Sequence, residues 1–171
     1  MLCANHNSLT DPILIQCVFW YRTINSLAHS VFFSTPLLKF FFTNVKCIAV
    51  DKENFGMESF HTARERLDAG EPVLIFSEGG LNSDTENELQ SLKSGVVLMA
   101  HRTDSPIIPI YIVPIKKWYQ RRTVLIGQPI HTREILGDRP SMAAIEELTA
   151  LLHVKETELK TRFNSEYRKE K

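Results

Sequence analysis

The sequence has no uninterrupted apolar run long enough to cross a membrane. Its two most apolar stretches, 12–21 and 31–45, fall short of the roughly 18 residues that a spanning helix needs, and Lys39 interrupts the second. No basic head precedes an apolar run at the start, which excludes an ordinary signal peptide. We therefore expect a protein that does not span a membrane by itself, although it can lie on one.

An excess of charge of either sign is also missing. Twenty basic residues balance twenty acidic ones, so no global field draws the chain to nucleic acid. The three cysteines are odd in number and follow no metal-ligand spacing, which predicts reduced, buried thiols in a cytosolic protein. Repeats, low-complexity tracts and Gly-, Pro- or Ser-rich linkers are absent, so we expect one domain over 1–171. The cysteines are Cys3, Cys17 and Cys47.

Helical and strand patterns alternate along the chain, which predicts an α/β fold with a mainly parallel sheet flanked by helices. Asp11 and Pro12 are typical of a helix opening, with Asp11 as the cap. In such sheets ligands bind at the carboxyl ends of the strands. The expected strands are 47–50, 72–76, 107–113 and 123–127, and the expected helices are 11–22, 37–44, 56–69, 91–101 and about 141–165.

His6 and Asp11 stand five residues apart at the mouth of the first predicted helix. Pro12 disfavours helical geometry at Asp11, so a turn can fold the carboxylate back onto the imidazole. An Asp that accepts the Nδ1 proton leaves Nε2 free to take a proton from a substrate hydroxyl. Taken alone, the spacing fits a loop histidine and a capping aspartate better than a catalytic pair.

Several blocks, read in order, resemble the motifs of the glycerolipid acyltransferases, the 1-acyl-glycerol-3-phosphate acyltransferase family. The resemblance runs from Asn5 to about Ile130, and its specificity comes from the order of the blocks. These blocks are Asn5-His6-X4-Asp11-Pro12, the strand 47–50 with Asp51-Lys52, Ile75-Phe76-Ser77-Glu78-Gly79-Gly80, Lys93-Ser94-Gly95, Pro106-Ile107-Ile108-Pro109-Ile110 and Ile126-Gly127-Gln128-Pro129-Ile130.

The resemblance implies transfer of a fatty acyl group from acyl-CoA or acyl-carrier protein to the hydroxyl of a lysophospholipid, in first place 1-acyl-sn-glycerol-3-phosphate. It implies no metal, no cofactor and no covalent acyl-enzyme. By position, His6 is the general base and Asp11 orients it. Substrate binding falls to Glu78, Gly79, Gly80 and Lys52, since a glycine turn after a strand can present N–H groups to a phosphate.

The chain departs from the family pattern where the acceptor phosphate is expected. Leu81 replaces the Arg of the third motif, Gly80 replaces its Thr and Ser77 its Pro, while Lys52 replaces an Arg in the second motif. Lys keeps the charge but loses the bidentate fork of Arg. The alternatives are an acyltransferase for another lipid acceptor and a non-catalytic relative that binds lipid or acyl-carrier protein. If a phosphate is bound, its charge partner is Lys52, Lys93 or Arg102.

Family members usually carry an upstream segment that helps them reach the membrane, and we expect this chain to lack it. Half of the sixteen aromatic residues lie within 19–42, beside Arg22 and Lys39, and a basic segment with aromatics follows at 116–122. Both can contact lipid headgroups, or they can be a core helix pair and a solvated hairpin. We expect a cytoplasmic protein, peripheral on the cytoplasmic membrane face, with no nucleic-acid partner.

Overall fold

The structure is a computed structural model that describes residues 1–50, 57–76, 86–115 and 119–166. The fold is a mixed sheet of six mostly parallel strands flanked by helices, which confirms the predicted α/β class. In chain order the elements are β1 (Leu2–Ala4), α1 (Asp11–Val18), β2 (Asn25–His29), a 3-10 turn (Ser30–Phe33), α2 (Pro36–Asn44), β3 (Ile48–Val50), α3 (Met57–Asp68), β4 (Val73–Phe76), α4 (Glu86–Arg102), β5 (Ile108–Ile112), β6 (Val124–Ile126), α5 (Thr132–Leu136) and α6 (Met142–Glu166).

The chain divides into two compact units, and the N-terminal unit comprises Met1 and Leu9–Ile75. In it β2 pairs in parallel with both β3 and β4. The polar strand β2 is held by side-chain bonds as well as by its ladder, because the buried carboxamide of Asn25 donates to Glu71 Oε2 at 3.0 Å and to the Pro72 carbonyl at 3.2 Å. Apolar side chains fill the core around these strands: Ile15, Ile24, Ile48, Ala63, Leu67, Val73, Leu74 and Ile75.

The C-terminal unit comprises Leu2–Ser8 and Phe76–Lys171. In it β1 runs parallel to β5, with Leu2 opposite Ile108 and Ala4 opposite Ile110, and β6 pairs antiparallel with β5 on the other side. Helix α6 packs on α4 and on β5. Its buried stripe is Ile145, Leu148, Leu152 and Leu159, whereas Met142 and Leu151, which the helical pattern places in the stripe, are exposed.

Helix α1 begins and ends differently from the prediction. Thr10, not Asp11, is the N-cap residue, because the Thr10 carbonyl accepts the first helical bond from Leu14 N–H at 3.0 Å. Asp11 is the first helical residue, and Pro12 follows it in the first turn, where a missing N–H costs nothing. The helix ends at Val18 rather than near residue 22.

Most other predicted elements agree with the structure within one or two residues, but α4 begins at Glu86 rather than at residue 91, and α5 was not predicted. Helix α3 ends at Asp68, one residue before the predicted end, and Gly70 follows it with φ +75° and donates to the Leu67 carbonyl at 2.9 Å. Strand β4 is buried at all four positions. All three cysteines are free as predicted, but only Cys3 is buried, since Cys17 is exposed on α1 and Cys47 is half-buried. Within the described ranges, no helix has the length and apolar character to cross a bilayer.

Candidate active site

His6 lies two residues beyond the carboxyl end of β1, in the C-terminal unit. Its half-buried imidazole stacks on the ring of Phe76, with the ring centroids 4.2 Å apart and the planes inclined by 25°. Phe76 is the last residue of β4 and is itself buried. The apolar face of Phe76 therefore limits the orientations open to the imidazole. A histidine at the carboxyl end of a strand also stands where an α/β sheet binds its ligands.

Both residues beside His6 are tied to the end of β5. Asn5 Oδ1 accepts the Ile112 N–H at 2.6 Å, and Asn5 Nδ2 donates to the Ile112 carbonyl at 3.0 Å. Asn7 Nδ2 donates to the same carbonyl at 2.9 Å. The backbone on either side of His6 is thus anchored to one residue of the sheet, Ile112.

Asp11 begins α1 in the N-terminal unit and has no exposed surface. No buried side-chain nitrogen or oxygen in the described ranges lacks a hydrogen-bond partner, so this carboxylate is hydrogen-bonded. Its position in the first turn also places its charge near the positive end of the helix dipole. Residues 9–10 form the expected turn before the helix. Since His6 and Asp11 belong to different units, their pairing stays a prediction.

The predicted substrate-binding residues lie outside the described part of the chain. These are Glu78, Gly79, Gly80 and Lys52, and Ser77 and Leu81 lie outside it as well. Along the sequence, 77–81 directly follows Phe76, the residue that touches His6. Of the other candidate cations for a phosphate, Arg102 is the exposed last residue of α4.

The structure also brings together the last two sequence blocks. Gly127 follows β6, and its N–H donates to the Pro109 carbonyl of β5 at 2.8 Å. A Cβ on Gly127 would come within 2.7 Å of Pro109 Cγ. This glycine and this proline therefore serve close packing of β5 against the chain after β6, on the unit that also carries His6.

The sequence interpretation missed the roles of Asn7 and Phe76. Phe76 stood in the third block only as the end of a buried strand, and Asn7 had no assigned role. The position of Phe76 was a signal that could have been used. Phe76 ends a buried strand, and ligands of α/β sheets bind at the carboxyl ends of the strands. Asn7 offered no such signal, since its partner lies 105 residues away.

Comparisons with known proteins identify the family and a similar fold. The sequence profile of a family described as Acyltransferase matches residues 1–113. The crystal structure of the 1-acyl-sn-glycerophosphate (LPA) acyltransferase PlsC from Thermotoga maritima is similar, with a TM-score of 0.62 and 19% sequence identity. The likeness covers 94% of this chain but 64% of that one, so the chain spans less than two thirds of PlsC. At this identity the likeness establishes the fold alone. No curated protein matches the sequence.

Proposed function

This chain belongs to the acyltransferase family, and from that membership we propose that it moves a fatty acyl group from acyl-CoA or acyl-carrier protein to the hydroxyl of a lysophospholipid. The observation that carries the proposal is the placement of His6. Its imidazole lies at the carboxyl end of β1, against Phe76, and the predicted acceptor residues follow Phe76 along the chain. The base therefore contacts the residue that directly precedes, in the sequence, the segment to which the resemblance assigns the acceptor.

In the proposed reaction His6 Nε2 takes the proton of the acceptor hydroxyl as its oxygen attacks the thioester carbonyl. The tetrahedral intermediate then expels the thiolate of the donor. The imidazolium of His6 gives its proton to this thiolate and becomes neutral again. Asp11 accepts a hydrogen bond from Nδ1–H and favours the positive charge on the ring. Its complete burial supports this role, because a buried carboxylate holds its partners in a fixed geometry. Neither a metal nor a covalent acyl-enzyme is part of the proposal.

For the acceptor we propose 1-acyl-sn-glycerol-3-phosphate, and the description of the similar PlsC as a 1-acyl-sn-glycerophosphate (LPA) acyltransferase supports this choice. The residues to which we assign its binding are Glu78, Gly79, Gly80 and Lys52. Leu81 favours an acceptor with a different headgroup, because an apolar side chain stands where the family pattern has an Arg that could clamp a phosphate.

The test of the base is acyl transfer from radiolabelled acyl-CoA and acyl-carrier protein to a panel of lysophospholipids. We expect His6→Ala to lower the rate by about 10²–10⁴-fold, the usual contribution of a general base. His61→Ala is the matched control, because His61 lies on the exposed surface of α3 and pairs with Glu65 one turn away. Wild-type rates for His6→Ala would exclude the mechanism, while lipid binding with no transfer by the wild-type protein would favour the non-catalytic alternative.

We further propose that the protein works on the cytoplasmic face of a membrane as a peripheral protein. Large apolar side chains with 65% to 81% of their surface exposed support this, and the exposed cations Arg22 and Lys39 lie close to them in sequence. Not all aromatics of 19–42 are available, since Phe33 and Phe42 pack on each other with centroids 5.8 Å apart. The exposed side chains are Trp20, Tyr21, Leu37 and Phe40.

Tryptophan fluorescence tests the membrane proposal directly. The chain has two tryptophans, so Trp118→Phe leaves Trp20 as the single reporter. We expect its emission to shift to shorter wavelength on vesicles that contain anionic lipid, and Phe40→Ser to weaken the binding. Ile135→Ser is the control, because Ile135 is 55% exposed on α5, outside the aromatic segment. An unshifted Trp20 spectrum at saturating lipid would contradict contact through this segment.

A further inference from the structure

The backbone groups of β5 alternate between its two neighbouring strands. Gly127 N–H donates to the Pro109 carbonyl at 2.8 Å, and Val113 N–H donates to the Thr123 carbonyl at 3.0 Å. The odd-numbered residues of β5 therefore present their backbone groups to the β6 side. By the two-residue period of a strand, the even-numbered residues, Ile112 among them, present theirs to the β1 side.

Strand β1 ends before it reaches Ile112, and a side chain takes its place. The last residue of β1, Ala4, is opposite Ile110. Beyond it the Asn5 carboxamide accepts the Ile112 N–H at 2.6 Å and donates to the Ile112 carbonyl at 3.0 Å. A carboxamide carries the same donor and acceptor as a peptide group. The Asn5 side chain thus pairs with the backbone groups of Ile112 that β1 does not reach, while the Asn5 backbone leaves the ladder.

Because the Asn5 side chain pairs with Ile112, the main chain can leave the sheet at His6. The chain is anchored again at Asn7, whose Nδ2 donates to the same Ile112 carbonyl at 2.9 Å. We propose that Asn5 and Asn7 are positioning residues that fix the backbone on both sides of His6 and so set where its imidazole meets the acceptor hydroxyl. The inference rests on the proposed function, in which His6 is the base. Phe76 limits the ring from one face, so backbone and ring are constrained separately.

We expect the two asparagines to affect the position of His6 more than the stability of the fold. Strand β1 pairs with β5 from Leu2 to Ala4 without using either carboxamide, so we expect this pairing to survive their removal. A base displaced by about 1 Å can lose on the order of 10²-fold in rate, because the reacting atoms must lie close and aligned. The loss should appear in kcat, since neither carboxamide is assigned to substrate binding.

The experiment compares Asn5→Ala, Asn7→Ala and Asn5→Gln in the whole protein by steady-state kinetics and by the imidazole NMR signals of His6. For each alanine variant we expect kcat about 10–100-fold lower and KM for donor and acceptor unchanged within about twofold. Asn5→Gln keeps the donor and the acceptor and should recover part of the rate. The control is Asn44→Ala, since Asn44 Nδ2 also donates to a main-chain carbonyl, that of Phe40 at 2.6 Å, but on exposed α2.

The NMR signals separate this inference from the proposed function. We expect the alanine variants to shift or broaden the His6 ring signals and to leave those of exposed His61 unchanged. Unaltered His6 signals together with unaltered kcat would overturn the positioning role. If His6→Ala retains full activity, the base assignment fails, yet the ring signals still test whether the asparagines hold His6. Should Asn5→Ala fail to fold, Asn7→Ala decides the question, because it leaves both bonds of Asn5 in place.

Discussion

A methyl group added at Gly127 should destabilise the protein, because the space for it is already occupied. A Cβ at this position would lie 2.7 Å from Pro109 Cγ, 3.2 Å from the Pro109 carbonyl oxygen and 3.4 Å from Leu159 Cδ1. Carbon atoms attract each other best at roughly 3.5–4.0 Å, so the first contact is about 1 Å too short. Pro109 is buried in β5 and its ring is closed onto the backbone, so Cγ can move only by a change of ring pucker.

The magnitude follows from two opposing effects. Overpacking costs about 1–3 kcal/mol, and relief requires the chain after β6 to move away, which stretches the 2.8 Å bond from Gly127 N–H to the Pro109 carbonyl. Replacing glycine also removes freedom from the unfolded chain, which returns about 0.4–1 kcal/mol. We expect Gly127→Ala to lower the free energy of unfolding by about 1–2 kcal/mol, or the melting temperature by about 2–8 °C for a chain of this size.

Gly95→Ala is the matched comparison, measured by calorimetry and by urea unfolding. Gly95 lies within α4, and among the described atoms none would come within 4 Å of a Cβ added at this position. Alanine in a helix is favoured over glycine by up to about 1 kcal/mol, so this variant should be more stable than the wild type. Opposite signs for the two substitutions are the expected result. A Gly127→Ala protein as stable as the wild type would refute the packing argument.

Three further predictions concern thiols, a buried amide and the acceptor. Burial raises the pKa of Cys47 to about 11, so only about one Cys47 thiol in a thousand is ionised at pH 8. Alkylation followed by mass spectrometry should therefore label exposed Cys17 far sooner than Cys47. The alkylation rate of Cys47 should rise tenfold per pH unit up to about pH 11. Asn25→Leu should cost about 1–3 kcal/mol in urea unfolding, because it removes a buried amide that donates to the Pro72 carbonyl; unchanged stability would contradict this. Leu81→Arg should improve turnover of lysophosphatidic acid, and equal or poorer turnover would count against a missing clamp.

The sequence predicted the elements whose pattern is local. Helix α6 agrees with the predicted bounds within one residue, because its buried positions repeat with helical spacing. Strand β4 was recognisable as a short apolar run between turn residues. Strands β1 and β2 were missed for different reasons. The first has three residues, too few for a periodic signal, and the second begins with Asn25 and Ser26, polar residues that are buried because the fold satisfies them.

The candidate site was predictable only in part. His6 and Asp11 were recognisable from an ordered resemblance, although their spacing alone favoured a simple turn. What holds His6 in place depends on contacts that no local pattern contains. Asn5 and Asn7 bond to Ile112, 107 and 105 residues further along the chain, and Phe76 reaches His6 only through the fold. Composition and periodicity carry no information on such pairings.

The pairing of β1 with β5 has a consequence for how the protein is made. Leu2 lies opposite Ile108, so the ribosome must add more than 100 residues before β1 can pair with β5. At about 5–20 residues per second this takes on the order of 5–20 s. During that time a strand that is fully buried in the finished protein lacks its pairing with β5. Release of the nascent chain before β5 emerges would leave that strand free to aggregate, which makes translation speed and chaperone access determinants of the yield of folded protein.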